Sequence, residues 1–458
     1  MQWRLGSLFL LTALAAMGQQ SQFQGSVPMG TTSPTPVSLT LREAMDRGLK
    51  ANLGLLVSDS TSEIARGQRL HSLSALLPSV TGQVSQTEEQ LNLATVGLSF
   101  SFPGVSIPRV VGPFHYTDVR ASASWSVFDY SARKNYRSAQ ASERAARLSA
   151  QDARDLVVQA VAAGYLQIIA DSSRIVAIRA QVETAQALYD RAVDQRRAGT
   201  AAGIDVLRSQ VELKQQQQRL LAQENQFAKD KLALGRVIGL PLGQDFNLAE
   251  TVPFSPLTSI TEEQALRTAF DQRADYQSYK AQVKAAEEAV SAARGERYPS
   301  GLVTADYGVV GPSLATNSHG TFTVVASARF NIFDSGRISS DVIQARAALK
   351  QRQDELSDLA GQIDFQVRAA FLDIRTASDQ VTVARDNLDL ANQTLTQSRD
   401  RFAAGVTDNI EVVQAQESVA TANDSLIAAL YGHNLAKVEL ARALGDSDQG
   451  VQRFVEVK

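Results

Sequence analysis

The apolar positions from Val367 to Leu395 fall at alternating spacings of 3 and 4: Val367, Ala370, Ile374, Ala377, Val381, Ala384, Leu388, Ala391, Leu395. That is the heptad spacing of helices packed along their length. Large aliphatic residues alternate with alanine, which lets two backbones approach closely. No proline interrupts the pattern between Arg337 and Arg401. It predicts a helix of about 65 residues, about 100 Å long at the usual helical rise. Ala403-Ala404-Gly405-Val406 breaks it, and a second helical pattern runs from Ile410 to Gly445. The segment reads as a long helical hairpin.

A shift of 206 residues (Ile204 to Ile410) brings the same unit back. The seam recurs as Val161, Gly164, Ile168, Asp171, Ile175, Ile178, Val182, Ala185, Tyr189, with Asp171 alone out of pattern. Arg197-Ala198-Gly199-Thr200 stands for the turn, and Ile204-Asp205-Val206-Leu207 answers Ile410-Glu411-Val412-Val413. The chain therefore consists of two similar halves completing one architecture.

Short alternating stretches precede each hairpin. Val80, Gly82 and Val84 alternate weakly with polar residues; Val119, Ala121, Ala123, Trp125 and Val127 alternate cleanly with Asp118, Arg120 and serines. In the second half 302–309 is a candidate strand, and Phe322, Val324, Ala326, Ala328, Phe330 and Ile332 share one face of 321–333. Residues 88–115, with Pro103, Pro108 and Pro113, read as a long loop, as does Gly311 to Gly320. Pro78 and Pro299 stop the helices that begin each half. Alternating strands of about 10 residues suit a tilted transmembrane strand. Four strands cannot close a barrel and an open edge cannot lie in lipid, so spanning strands require several chains.

The organisation expected is a signal peptide at 1–18, a flexible leader at 19–40, a first repeat at 41–239 (strand pair about 79–128, hairpin 130–239), a linker at 240–260, a second repeat at 261–445 (strand pair about 300–333, hairpin 335–445) and a tail at 446–458. Arg4 followed by the apolar run Leu5 to Ala16 carries the signal reading. Net charge is −3, which gives no support for a nucleic-acid partner. There is no cysteine, hence no disulfide or thiolate chemistry. His71, His115, His319 and His433 show no metal spacing, and no phosphate-binding loop precedes a helix. No cofactor and no enzyme activity are expected.

Together these features resemble the TolC family of outer-membrane efflux and secretion channels. The resemblance rests on the repeat, on Leu77-Pro78-Ser79 and Tyr298-Pro299-Ser300 before each first strand, and on Phe128-Asp129 and Phe333-Asp334-Ser335-Gly336-Arg337 after each second one. The two tip motifs complete it. It implies a mainly α fold with a small transmembrane β part. The assembly would be a homotrimer whose twelve-stranded barrel sits in outer-membrane lipid and is continued by an α-helical barrel in the periplasm. The implied partners are a periplasmic adaptor and an inner-membrane pump. Adaptor-contacting tips would be Arg197, Gly199, Thr200, Gly405, Val406 and Val412. The family's acidic entrance ring falls on Glu411, its second acidic position on Gln414, and its locking arginine and neighbouring tyrosine on Thr407 and Phe402; Asp205 is the equivalent acid of the first tip. Val119, Ala121, Trp125, Phe322, Val324 and Phe330 would face lipid. The competing reading is a periplasmic coiled-coil adaptor or a structural assembly protein without channel activity.

Overall fold

The computed structural model describes residues 23, 25–97, 108–200, 202–241, 243–250, 254–257, 260–313, 317–407 and 409–455. The signal peptide expected at 1–18, Pro103 and the last three residues of the tail lie outside them. In chain order the elements are β1 (Val37–Leu39), α1 (Leu41–Ala51), α2 (Leu53–Ser74), β2 (Ser79–Asn92), β3 (Val110–Phe128), α3 (Tyr130–Arg197), α4 (Gly203–Val237), β4 (Phe246–Leu248), α5 (Glu262–Gln272), α6 (Ala274–Gly295), β5 (Ser300–Gly311), β6 (His319–Arg329), α7 (Arg337–Ala403), α8 (Asn409–Leu444) and α9 (Ser447–Phe454). The long helices α3 and α7 have 68 and 67 residues, as the unbroken seam requires.

The chain forms two compact units that cut across the repeats. One comprises 1–62, 145–279 and 355–458, the other 63–144 and 280–354.

The first unit holds the hairpins. Its core joins Val157, Val161, Tyr165 and Ile168 of α3 to Ile363, Val367, Ala370 and Ile374 of α7 and to Val438 and Leu440 of α8. One window of α3 is apolar enough to cross a bilayer, but half of it is buried in the chain, as a core helix requires. Capping boxes, Thr40 with Glu43 and Thr261 with Gln264, start α1 and α5. Both end after 11 residues at one extended residue, Asn52 or Arg273. The break at Asn52 falls beside Gly54, whereas that at Arg273 has no glycine or proline near it.

Residues 25–39 are not a flexible leader. Val27 N–H bonds the Ala51 carbonyl at 2.9 Å, Met29 N–H the Gly239 carbonyl at 2.9 Å, and β1 pairs in parallel with β4, inside the stretch read as a linker. Backbone pairing orders a segment whose side chains give no periodic signal. The tail likewise forms α9, with Val451 and Phe454 in the core.

The second unit holds one antiparallel sheet in the order β2-β3-β5-β6. Its strands run longer than the alternation suggests: β2 continues to Asn92 and β3 begins at Val110, so the two ends of 88–115 are paired rather than looped. Glu88, Glu89 and Pro113 hide these ends, because the two-faced pattern stops there while the hydrogen bonds do not. β6 stops at Arg329, which leaves Phe330 and Ile332 beyond it. The Phe-Asp motifs are helix starts. Asp129 Oδ1 accepts from Ala132 N–H at 2.8 Å, and Asp334 accepts from Ile338 N–H at 2.8 Å and Gly336 N–H at 3.1 Å. Those backbone donors hold the Asp334 carboxyl below its ordinary pKa.

Candidate functional site: hairpin tips and a two-faced sheet

Both tips reverse the chain through a glycine of positive φ, +77° at Gly199 and +72° at Gly405. Thr200 N–H reaches the Gln195 carbonyl at 2.9 Å, and Val406 N–H the Arg401 carbonyl at 3.0 Å. These are Schellman closures, in which a left-handed residue after the helix lets later amides satisfy its last carbonyls.

The returning helices carry the acids, but the two tips hold them differently. Glu411 accepts from Thr407 Oγ1 at 2.5 Å and from Ser398 Oγ at 3.3 Å, and pairs with Arg401 at 3.4 Å. The Thr407 hydrogen bond, aided by the Arg401 charge, holds its pKa below the ordinary value. Thr407 thus bonds directly to Glu411, the acid on the first turn of the returning helix. Among the described residues Asp205 pairs with the exposed Arg208 alone, at 3.7 Å. Gln414 is exposed on the next turn. Arg191 of α3 lies over the Phe402 ring at 5.6 Å, a cation–π contact between the hairpins. Arg401 and Arg191 were not legible as site residues, because their partners lie on other helices.

Arg197, Gly199, Thr200, Gly405 and Val406 are exposed at the tips. Val412 is not: it is 0% exposed and packs inside its hairpin, so its place among the tip contacts does not hold. The seam period explains this, since Val412 sits on the inward stripe with Ala415.

The sheet has two chemically distinct faces, and its register fixes them. Val119 pairs with Val84 and Val309, Ala121 with Gly82 and Tyr307, Trp125 with Val303, and Val324 with Ala305. Phe322, paired with Tyr307, is 76% exposed in the single chain. Trp125 Nε1 donates to the Leu76 carbonyl at 3.2 Å, which satisfies the indole while its ring stays on the apolar face. The opposite face carries Thr81, Gln83, Ser122, Ser124, Thr304, Thr321 and Thr323. Within it Arg120 ties three strands together: its guanidinium reaches Asp306 at 2.5 Å, Asp118 at 3.2 Å and Thr321 Oγ1 at 3.4 Å.

The chain is 24% identical over 417 residues to the toluene efflux pump outer membrane protein TtgF of Pseudomonas putida, a match spanning 88% of this chain and 83% of the relative. It is 24% identical over 235 residues to the probable outer membrane lipoprotein SilC of Salmonella typhimurium, where the match spans about half of each chain, 49% of this one and 48% of the relative. Its fold matches the Campylobacter jejuni CmeC outer membrane channel at a TM-score of 0.78 and 17% identity, over 93% of this chain and 92% of that one. The fold is thus the one that this outer membrane channel has. The family model described as outer membrane efflux protein matches residues 63–240 and 265–446, one stretch in each repeat, and the chain belongs to that family.

Proposed function

We propose that this outer-membrane protein is the exit duct of a tripartite efflux or type I secretion system, a passive conduit served by an inner-membrane pump through a periplasmic adaptor. One observation carries the reading. The sheet is apolar on one face, polar on the other, and open at both edges, β2 and β6. In lipid those edge amides and carbonyls need partners, because no water replaces them. Three copies joined β6 to β2 supply them and close a twelve-stranded barrel with its apolar face outward. Val119, Ala121, Trp125, Phe322 and Val324 then face lipid. Phe330, just past β6, sits at the rim, where aromatic residues are favoured.

The hairpins wall the periplasmic part. Three Glu411 side chains would ring its entrance, with Asp205 as a weaker second acid and Gln414 and Thr407 beside them. The missing arginine lock is replaced by Thr407, Ser398 and Arg401 on Glu411 and by Arg191 on Phe402. Arg197, Gly199, Thr200, Gly405 and Val406 form the surface an adaptor would meet. Reconstitution into planar bilayers tests this: the assembled protein should give discrete, low-conductance, cation-selective openings. An assembled trimer that never conducts would overturn it.

A further inference from the structure

The middle of the sheet's polar face carries one charged set among uncharged residues. Gln83, Arg120, Gly308 and Thr321 stand in a single row across the four strands. Asp118 lies in the adjoining row on one side and Asp306 in the adjoining row on the other. The remaining charges of this face, among the described strand residues, are Glu89 and Arg329 at its opposite ends; His319 ends the row of Asp118.

Gly308 explains how Arg120 lies. An added Cβ there would come within 3.0 Å of the Val119 carbonyl oxygen, 3.1 Å of Arg120 Cβ and 3.2 Å of Arg120 Cγ. The bare glycine gives the Arg120 stem room to lie across β5 instead of standing off the sheet. Its fork then bonds along the wall, Nε to Asp118 at 3.2 Å, Nη1 to Asp306 at 2.5 Å and Nη2 to Thr321 Oγ1 at 3.4 Å. Two carboxylates match fixed donors of one guanidinium, a geometry a lysine cannot copy. The side chains of Arg120, Asp118 and Asp306 are 26%, 21% and 27% exposed, so all three charges belong to the wall and still meet water. One cation between two anions leaves a net charge of −1 per chain.

Sheet pairing does not require these charges. A shift of 205 residues (Phe128 to Phe333) places Val325 at Arg120 and Thr323 at Asp118, and a shift of 221 (Pro78 to Pro299) places Ser85 at Asp306. Those counterparts occupy the same face and pair equally well without charge.

We propose that Arg120, laid over Gly308 between Asp118 and Asp306, sets the charge preference of the barrel bore. It cancels one of two wall carboxylates and leaves a cation-attracting belt, −1 from each of three chains, as rings of charged side chains do in channels. The inference rests on the duct reading, which turns this face toward the bore, and it names a determinant separate from Glu411 at the tips.

The chain has no cysteine, so single cysteines can report the local field. In membranes holding the assembled full-length protein, Gln83→Cys in the row of Arg120 and Ser124→Cys two rows away are labelled with a cationic and an anionic methanethiosulfonate. In about 0.1 M salt, where charges are screened beyond about 10 Å, the cationic reagent should react faster at position 83. Arg120→Gln should raise the cationic-to-anionic rate ratio there roughly three-fold, and Asp118→Asn/Asp306→Asn should bring it below one. Position 124 should respond less, and both changes should fade at about 1 M salt. Asp306→Asn alone should lower the ratio, and it decides the matter where Arg120→Gln does not assemble. Reversal potentials in planar bilayers should move in parallel, toward cations in Arg120→Gln and toward anions in the double variant. A ratio unmoved by these substitutions would overturn the proposal, and so would a moved ratio with an unmoved reversal potential. Labelling is read whether or not the assembly conducts. A cysteine at position 83 that reacts with neither reagent would put this face away from water and overturn the duct reading with it.

Discussion

The two hairpins share a seam and differ in what they place along it. Tyr165, fully buried in the first, donates its hydroxyl to the Leu39 carbonyl at 3.0 Å and to Glu250 at 3.2 Å; its counterpart in the second is Phe371. The buried Asp171 faces an alanine equivalent. Farther along, the relation reverses: Phe227 of the first hairpin answers His433 of the second, which is buried with no hydrogen-bond partner on either ring nitrogen among the described residues. A lysine at the same position of both returning helices reaches the chain between the repeats. Lys231 bonds Asp245 and Lys437 bonds the Ser255 carbonyl, both at 2.5 Å. Duplication thus fixed a common apolar frame and common anchors, while polar groups entered each copy separately and in sets. One hairpin holds an acid, Asp171, whose burial favours a proton; the other holds a histidine whose burial disfavours one.

The largest effect should appear where the first hairpin's polar core replaces the second's apolar one. Tyr165→Ala removes a buried aromatic and should cost about 3–5 kcal/mol in denaturant unfolding. Phe371→Ala should cost clearly less, because Phe371 is only partly buried. Equal losses would break the comparison.

Next come the strands, where the repeats should behave alike. Val324→Arg in the second and Ala121→Arg in the first each put a charge on the apolar face. Each should cost roughly 2–4 kcal/mol of assembly near the bilayer midplane. Thr323→Arg and Ser122→Arg, on the polar face, should be tolerated. Gel mobility of the unheated assembly separates these outcomes, and tolerance of Val324→Arg would mean the faces are reversed.

The third effect is in pH. His433 lies 4.8 Å from the Phe254 ring, and burial, with help from Lys437, lowers its pKa from 6.5 to about 4. The unfolded chain binds this proton first, so the stability from burying a neutral ring is complete above 6.5 and declines as pH falls toward 4. His433→Phe, which copies the first hairpin, should flatten the acid side of the unfolding midpoint. An unchanged slope would mean the ring finds a partner in the assembly.

The smallest effects belong to the exposed tips. Glu411→Gln leaves Arg401 uncompensated and should move selectivity toward anions in bilayer recordings at low salt, where screening is least. Asp205→Asn should move it less. Equal shifts would mean that the bracing by Thr407 and Ser398 does not matter to conduction.

The seam, the duplication, the tips and the core of each strand were legible because each repeats a period that burial imposes. The strand ends at 86–92 and 110–116 were not, since backbone pairing continues there without a face to patternise it. β1 and β4, three residues each, carry no period at all. Val412 was misassigned by its motif although the seam places it inward. The brace on Glu411 was half visible: Thr407 is a turn away along the chain, whereas Arg401 meets it only because the hairpin folds back.

This sheet, with two open edges, is one third of a barrel. Multi-angle light scattering of the detergent-extracted protein tests it most directly. A single species of three chains that survives until heated is expected. A monodisperse monomer would contradict it, because the β2 and β6 edges would then have no partner in the membrane.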